Sequence, residues 1–324
     1  MIRLSNAVLQ ACCLLVFTAV GLAEQSNPIE RAVAATFRIT NGRTSATAFL
    51  VALEPAEEDE GTSTTVLVTA AHCLEQMPEA ATTLVLRERN DDATYARKET
   101  SIALREGDKP LWVRHPDLDI AALLVELPEE TAARPVCFGQ VADASWALEG
   151  KLHVGSDVFI PGYPATLEGN EAGWPVLRRG TVATHPLAPV QSAQRMFVNA
   201  PTFGGDSGAP VVLIDDNRAV VVGIVTGMQR QTSRSRTPFE ERVSHMPLAL
   251  AITLQAPFIR ETIELLGKEE PKEEDKEEPK EEDKEEPKEE DKEEVKEEPK
   301  EEGKEEDESP AERNDGDDRM ENEG

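Results

Sequence analysis

Cysteine is scarce in this sequence, with four residues in 324. Two of them, Cys12 and Cys13, fall inside an N-terminal apolar run, which leaves Cys73 and Cys137 for the rest of the chain. Two thiols close at most one disulfide, so a scaffold held by many bridges is excluded and stability has to come from a core. They form no C-x-x-C pair, which removes the case for zinc, and no metal or cofactor is expected. Positive charge is also short, with 34 Lys and Arg against 63 Asp and Glu and a formal net charge of −29. That balance argues against nucleic acid as a partner. Long apolar runs are missing as well. The N-terminal one, from Ala7 to Val20, is broken by Gln10 and Thr18 and falls short of the roughly 20 residues a membrane span needs.

What the N-terminal run does match is a secretory signal. Arg3 supplies a basic start, the apolar stretch follows, and Gly21-Leu22-Ala23 ends in a small residue suited to cleavage. Residues 1–23 are therefore expected to be removed, and the mature protein to be secreted or periplasmic rather than membrane-spanning. Lipid attachment at Cys12 or Cys13 fits less well, because both sit inside the apolar run and not at its end. At the other extreme, 268–324 is built from K-E-E-x units with Pro271, Pro279, Pro287 and Pro299 at the variable place. That segment holds 31 acidic and 12 basic side chains, −19 of the net charge. A proline inside a helix costs about 3 kcal/mol, and almost no apolar side chain is present to offset ordering. The tail is expected to be a disordered, solvated spacer; its lysine every fourth residue does not make a calcium loop. Between the two lies one folded domain, 24–267, of about 240 residues, long enough to bury a sizeable core.

Within that domain, short apolar runs alternate with turn residues. "AATFRIT", "ATAFLVAL", "TTVLVTAAH", "ATTLVLRE", "KETSIAL", "DIAALLVEL" and "GSDVFIPG" occupy the first half and middle. "GTVATH", "RMFVNA", "APVVLI", "AVVVGIVTG" and "LALAITL" follow. Their length and their Val, Thr and Ile content mark strands, and their number points to an all-β sandwich or barrel. "APFIRETIELLG" alone reads as a good helix, opened by Pro257 and closed by Gly267. "EPAEEDEGTST" reads as a solvated insertion between two strands, and 128–150 as a connector between two halves.

"FGGDSGAP", Phe203 to Pro210, places Ser207 between glycines ahead of a strand. The glycines fit a tight turn, and they equally fit a strained, open place for a nucleophile. A nucleophilic hydroxyl needs a base, and of His72, His115, His153, His185 and His245 only His72 stands where a strand runs into a short helical turn. The base needs an acid to orient it. Asp119 opens an apolar strand; Asp117, two residues earlier, lies outside that run.

Together these segments resemble the trypsin- or chymotrypsin-like serine peptidases. "VTAAHCL" is similar to that family's histidine motif, "DIAALL" to its aspartate motif and "GGDSGAP" to its serine motif, in the same order and with gaps of 47 and 88 residues. "ATAFLV", "RPVCF" and "VVGIVTG" add secondary matches, and the likeness covers about residues 30 to 266. It implies two antiparallel six-stranded β-barrels, about 30–135 and 150–255, with a short C-terminal helix and a cleft between the barrels. It implies Ser207 as nucleophile, His72 as base and Asp119 as the acid that orients it, acting on protein or peptide substrates through an acyl-enzyme. The N–H groups of Gly205 and Ser207 would form the oxyanion hole. Pro201 and Thr202 would lie at the base of the specificity pocket, and Val225, Thr226 and Gly227 along the edge that pairs with substrate.

The match is not complete. The digestive members pair the aspartate before the serine with a freed Ile-Val-Gly-Gly amine, and no such motif follows Arg or Lys here. Asp206 therefore needs another partner, and an enzyme without zymogen cleavage is expected, as in the bacterial high-temperature-requirement and glutamyl endopeptidase branches. "SDVFIPGYP" also resembles those branches, although no PDZ-like domain is expected ahead of the acidic tail. Cys73 lacks its usual partner near 46–48, so Cys73 and Cys137 read as a free, buried pair ahead of the alternative, a bond between the two in an oxidising compartment. No acid stands at 201–202, which predicts weak or no preference for Arg or Lys. Arg230, Arg234 and Arg236 fit a solvated loop better than a site for acidic substrates. The alternative function is a catalytically silent relative that acts as a binding protein.

Overall fold

The computed structural model of the protein describes residues 27–53, 64–128, 130–236 and 241–267. The signal expectation for 1–23, the tail expectation for 268–324 and nearly all of the acidic insertion fall outside these residues. The chain divides into two units, Met1–Lys272 and Glu273–Gly324, and every described residue belongs to the first.

A short helix, α1 (Pro28–Ala34), is capped by the Asn27 side chain, which accepts from Ile29 N–H, and has proline in its first turn. The first half then forms an eight-stranded sheet. Its strands are β1 (Thr36–Thr40), β2 (Ser45–Ala52), β3 (Thr65–Thr69), β4 (Ala81–Arg89) and β5 (Tyr95–Ala103). After a two-stranded excursion, β6 (Arg105–Glu106) and β7 (Lys109–Pro110), come β8 (Trp112–Arg114), β9 (Ala121–Val125) and β10 (Val136–Cys137). The order is β5-β4-β1-β2-β3-β9-β8, with β10 parallel to β2. A five-residue helix, α2 (Ala71–Glu75), follows β3, and a single turn, α3 (Ser145–Leu148), lies in the connector.

The second half is a closed six-stranded antiparallel barrel. Its strands are β11 (Asp157–Gly162), β12 (Val176–Val182), β13 (Arg195–Asn199), β14 (Pro210–Asp215), β15 (Arg218–Arg236) and β16 (Glu241–Gln255). They run in the order β11-β12-β13-β16-β15-β14, and Phe159 pairs with Val212 to close the ring. The molecule is thus all-β with a C-terminal helix, α4 (Pro257–Leu265), as expected. One of the two expected barrels is closed by hydrogen bonds. In the first half, β5 and β8 end the path without pairing to each other among the described residues.

Alternation explains why the first-half strands read as unbroken apolar runs. Along β3, Val66 and Val68 join the core shared with the barrel, whereas Leu67 points into a second core with Phe37, Leu50, Leu84 and Leu123. A sheet buried on both faces needs apolar side chains at every position. Helix α4 packs on β8 and β9 of the first half and on β15 and β16 of the barrel. Its Phe258, Ile259 and Ile263 are buried in the shared core, one face at helical spacing.

The far end of the β15–β16 hairpin departs from expectation. Arg230 pairs with Pro247 and Arg236 with Glu241 in an exposed two-stranded ribbon, where a solvated loop was expected. Polar side chains suit it because neither face of the ribbon is covered. Both remaining cysteines are free, but only Cys73 is buried; Cys137 is half-buried, near the Arg31 guanidinium.

Candidate active site

Strand register brings residues 47 apart into contact. Thr69, at the end of β3, pairs with Ala121, at the start of β9. His72 comes three residues after the first and Asp119 two before the second, so both emerge at one end of the sheet. The Asp119 carboxylate accepts twice from His72: the main-chain N–H at 2.9 Å through Oδ1, and ring Nδ1–H at 2.6 Å through Oδ2. It thereby serves an N–H of the α2 start that has no partner within the helix and fixes the imidazole tautomer at the same time. Asp117, the competitor, is exposed; its N–H and that of Leu118 approach His115 Nδ1.

The charges follow from these contacts. The Asp119 hydrogen bond, and after it one with Cys73, outweigh burial and raise the His72 imidazole from 6.5 to about 10. Burial opposes ionisation of Asp119, but its two bonds from His72 prevail and hold the carboxyl below its ordinary value. On the other side of the ring, Nε2 lies 3.6 Å from Cys73 Sγ. No hydrogen bond joins Nε2 to Ser207 Oγ among the described residues.

His72, Cys73, Gly204, Gly205 and Ser207 line one cavity of about 160 Å³, together with residues that include Thr44, Gln76 and Met77. The Ser207 turn owes its shape to two glycines. Gly205 has φ +96° and Gly208 φ +89°. A Cβ at the first would run into the Tyr163 carbonyl and at the second into that of Thr47, so neither place admits a side chain. Among the described residues, neither the Gly205 nor the Ser207 N–H is given to a protein acceptor. Thr47 of β2 seats the turn from the other half of the molecule. Its N–H donates to Ser207 O at 3.0 Å, and its hydroxyl donates to Gly205 O at 2.7 Å. The same hydroxyl oxygen accepts from Tyr163 N–H at 3.2 Å.

Asp206 is fully buried. Arg178 of β12 meets it through both terminal nitrogens, at 2.5 and 2.6 Å, and Phe203 N–H adds a third bond at 2.8 Å. A side chain at Gly162 would come within 2.9 Å of both Arg178 Nη2 and Asp206 Oδ1. Sequence reasoning missed Arg178, Thr47 and the Cys73 contact. The signal for Arg178 lies in "VLRRG": it shares the inward phase of β12 with Gly180 and Val182, whereas Arg179 points out and pairs with Asp157.

The expected specificity residues are not in the cavity wall. Thr202 is buried, with its hydroxyl on Ala200 O at 3.1 Å, and the Pro201 carbonyl accepts from Arg178 at 3.0 Å. Val225 has its N–H bonded to Ala209 O and its carbonyl to Gly208 N–H. Beyond Val225, β15 keeps β16 as its strand partner and has no second one among the described residues. No group of three or more His, Cys, Asp or Glu suited to a metal occurs among the described residues.

No curated protein matches the chain. Among solved structures, an inactive serine-to-alanine mutant of Rv3671c from M. tuberculosis H37Rv is 15% identical, with 76% of this chain and 93% of that chain covered and a TM-score of 0.42. The family described as the trypsin-like peptidase domain matches residues 46–224, more than half of the sequence and the stretch that holds His72, Asp119 and Ser207. The chain belongs to the trypsin-like peptidase family.

Proposed function

We propose that this chain is an exported serine endopeptidase that works through Ser207, His72 and Asp119 and a covalent acyl-enzyme. The observation that carries the reading is the double hydrogen bond from His72 to Asp119, with His72 lining the same cavity as Ser207 and Gly205. Ser207 Oγ attacks the peptide carbonyl as its proton passes to His72 Nε2. Asp119 keeps Nδ1 protonated and faces the imidazolium that forms. The oxyanion takes the N–H groups of Gly205 and Ser207, each such donor contributing about 2.7–4 kcal/mol to the barrier reduction. His72 then protonates the leaving amine as the C–N bond breaks, and water repeats the cycle on the ester.

Thr226 and Gly227 offer the edge along which substrate adds as a strand. Among the described residues, no Asp or Glu lines the cavity, which supports weak or no selection for Arg or Lys. The signal-like segment 1–23 supports delivery to the periplasm or exterior, and the acidic tail is assigned a spacer role.

One observation favours a second reading, a catalytically silent relative that binds proteins. His72 Nε2 faces Cys73 rather than Ser207, and its raised pKa weakens it as a base near neutrality. Catalytic hydrogen bonds commonly tighten only when substrate is present, which leaves the peptidase reading ahead. A fluorophosphonate probe separates the two. Label on Ser207, abolished in Ser207→Ala and strongly reduced in His72→Ala, is the expected result. Folded protein that takes no label would rule out the enzyme.

A further inference from the structure

We propose that the outer part of the β15–β16 hairpin is a docking arm for an acidic segment of the substrate, lying ahead of the bond to be cut. The proposal rests on the peptidase reading and names the substrate class that the Ser207 site would favour. The arm comprises 228–236 and 241–248, and its described residues from Gln229 outward are all exposed. A lone two-stranded ribbon is marginal in water, and its unpaired edges are ready to take another strand.

The arm starts at the site. Gly208 N–H, next to Ser207, donates to Val225 O at 2.7 Å, which ties the Ser207 turn to the foot of the hairpin. Past Ile224, β15 pairs with β16 alone among the described residues, so its other edge stays open as far as Arg236. Register shifts at Val225/Gly227 and Met228/Arg230 precede a regular run from Arg230 to Arg236.

Charge selects the occupant. Residues 228–248 hold four arginines and two glutamates, a net of +2 in a chain of −29. Arg230, Arg234 and Arg236 share one face with Thr232, whose hydroxyl meets His245 Nδ1 at 2.9 Å. Ser233 meets Ser244 at 2.7 Å on the opposite face. Among the described residues, none of the three arginines has an ion-pair partner. A solvated loop would scatter these charges, whereas a paired strand fixes three guanidinium forks in a row suited to carboxylates. A peptide pairing antiparallel with β15 approaches the cavity as β15 leaves it. Its residues opposite Arg230 to Arg236 therefore precede the scissile bond, by roughly five to twelve positions. Acidic side chains two apart on that strand fall beside the arginines.

The test uses the full-length mature protein and peptides that share one cleavable core. One has an N-terminal extension rich in Asp and Glu, a second the same extension with Asn and Gln, and a third the acidic extension at its C-terminus. The first should exceed the second by about tenfold in kcat/KM, chiefly through KM, as for several exposed ion pairs together. The preference should fade near about 1 M salt, where the screening length falls to about 3 Å. Combining Arg230→Gln, Arg234→Gln and Arg236→Gln should erase it, and Arg→Lys at the same places should keep most of it. An equal preference in the wild type and the glutamine variant would overturn the proposal. So would a preference for the C-terminal extension, or a glutamine variant whose one defect is lost adhesion to anionic lipid vesicles. Fluorescence anisotropy of the acidic extension alone keeps the two ideas apart. If nothing is cut and Ser207 takes no fluorophosphonate label, yet the wild type binds the extension and the glutamine variant does not, the peptidase reading alone fails. If all three peptides are cut equally and the extension does not bind, only the role of the arm fails.

Discussion

In the proposed mechanism only the neutral form of His72 takes the Ser207 proton, so kcat/KM is expected to rise with pH through the His72 pKa. Asp119 first, and Cys73 second, hold that pKa above 6.5, toward about 10, which places the rise on the alkaline side of an ordinary histidine. Cys73→Ala removes one of the two raising hydrogen bonds. A pH–rate series on a chromogenic ester should show its rise at lower pH than in the wild type; coincident curves would mean the thiol has no influence on the ring. The same shift bears on folding. The folded-state pKa lies above the unfolded value, so the contribution is fully present below about 6.5 and is lost as pH rises through about 10. The stability advantage of the wild type over Asp119→Asn should shrink across that window, as read from urea midpoints.

At the scale of elements, β4 carries the buried cation Arg87, in phase with Val85 and directed at the barrel half. Its guanidinium lies 4.2 Å from the ring centres of both Phe37 and Trp174. It donates to Tyr163 Oη and to the carbonyls of Gly173, Ala34 and Thr36, which ties α1, β1 and the barrel side together. Burial pushes its pKa down. Arg87→Met removes a buried donor from each of those carbonyls, of which Gly173 O and Thr36 O still face the Tyr163 hydroxyl and Ala34 O the Arg134 N–H, and should cost on the order of 1–3 kcal/mol. Urea unfolding at unchanged m-value measures it, and a loss under about 1 kcal/mol would show that the carbonyls find other partners.

Much of this was legible in the sequence. The strands read correctly because Val66, Leu67 and Val68 each enter one of two cores, which leaves an apolar run that needs no context. The His72–Asp119 pairing was legible only through motif order; the Thr69–Ala121 register behind it is a long-range fact. The ribbon at 228–247 was not legible, since "QRQTSRSR" buries nothing and its strand character comes from cross-strand pairing alone. Arg87 and Arg178 were missed for a shared reason. Each is a charge on an inward strand phase, a pattern that normally argues against burial and makes sense only once the partner, Tyr163 or Asp206, is in place.

Across the whole molecule, charge and function are assigned to different stretches. Residues 268–324 hold −19 of the −29 formal charges and none of the candidate site residues. Truncation after Gly267 should therefore leave kcat/KM for a short neutral peptide within about twofold, with changed salt dependence for charged substrates as field effects require. A large loss toward the neutral peptide would refute the spacer role.

Thr47 gives the two halves a shared schedule. Its amide and hydroxyl hold the Ser207 and Gly205 carbonyls, yet it belongs to a strand of the other half. A chain whose barrel has closed before the first sheet docks has a nucleophile without its seat. On the proposed reading, Ser207 is therefore seated only once both halves have docked.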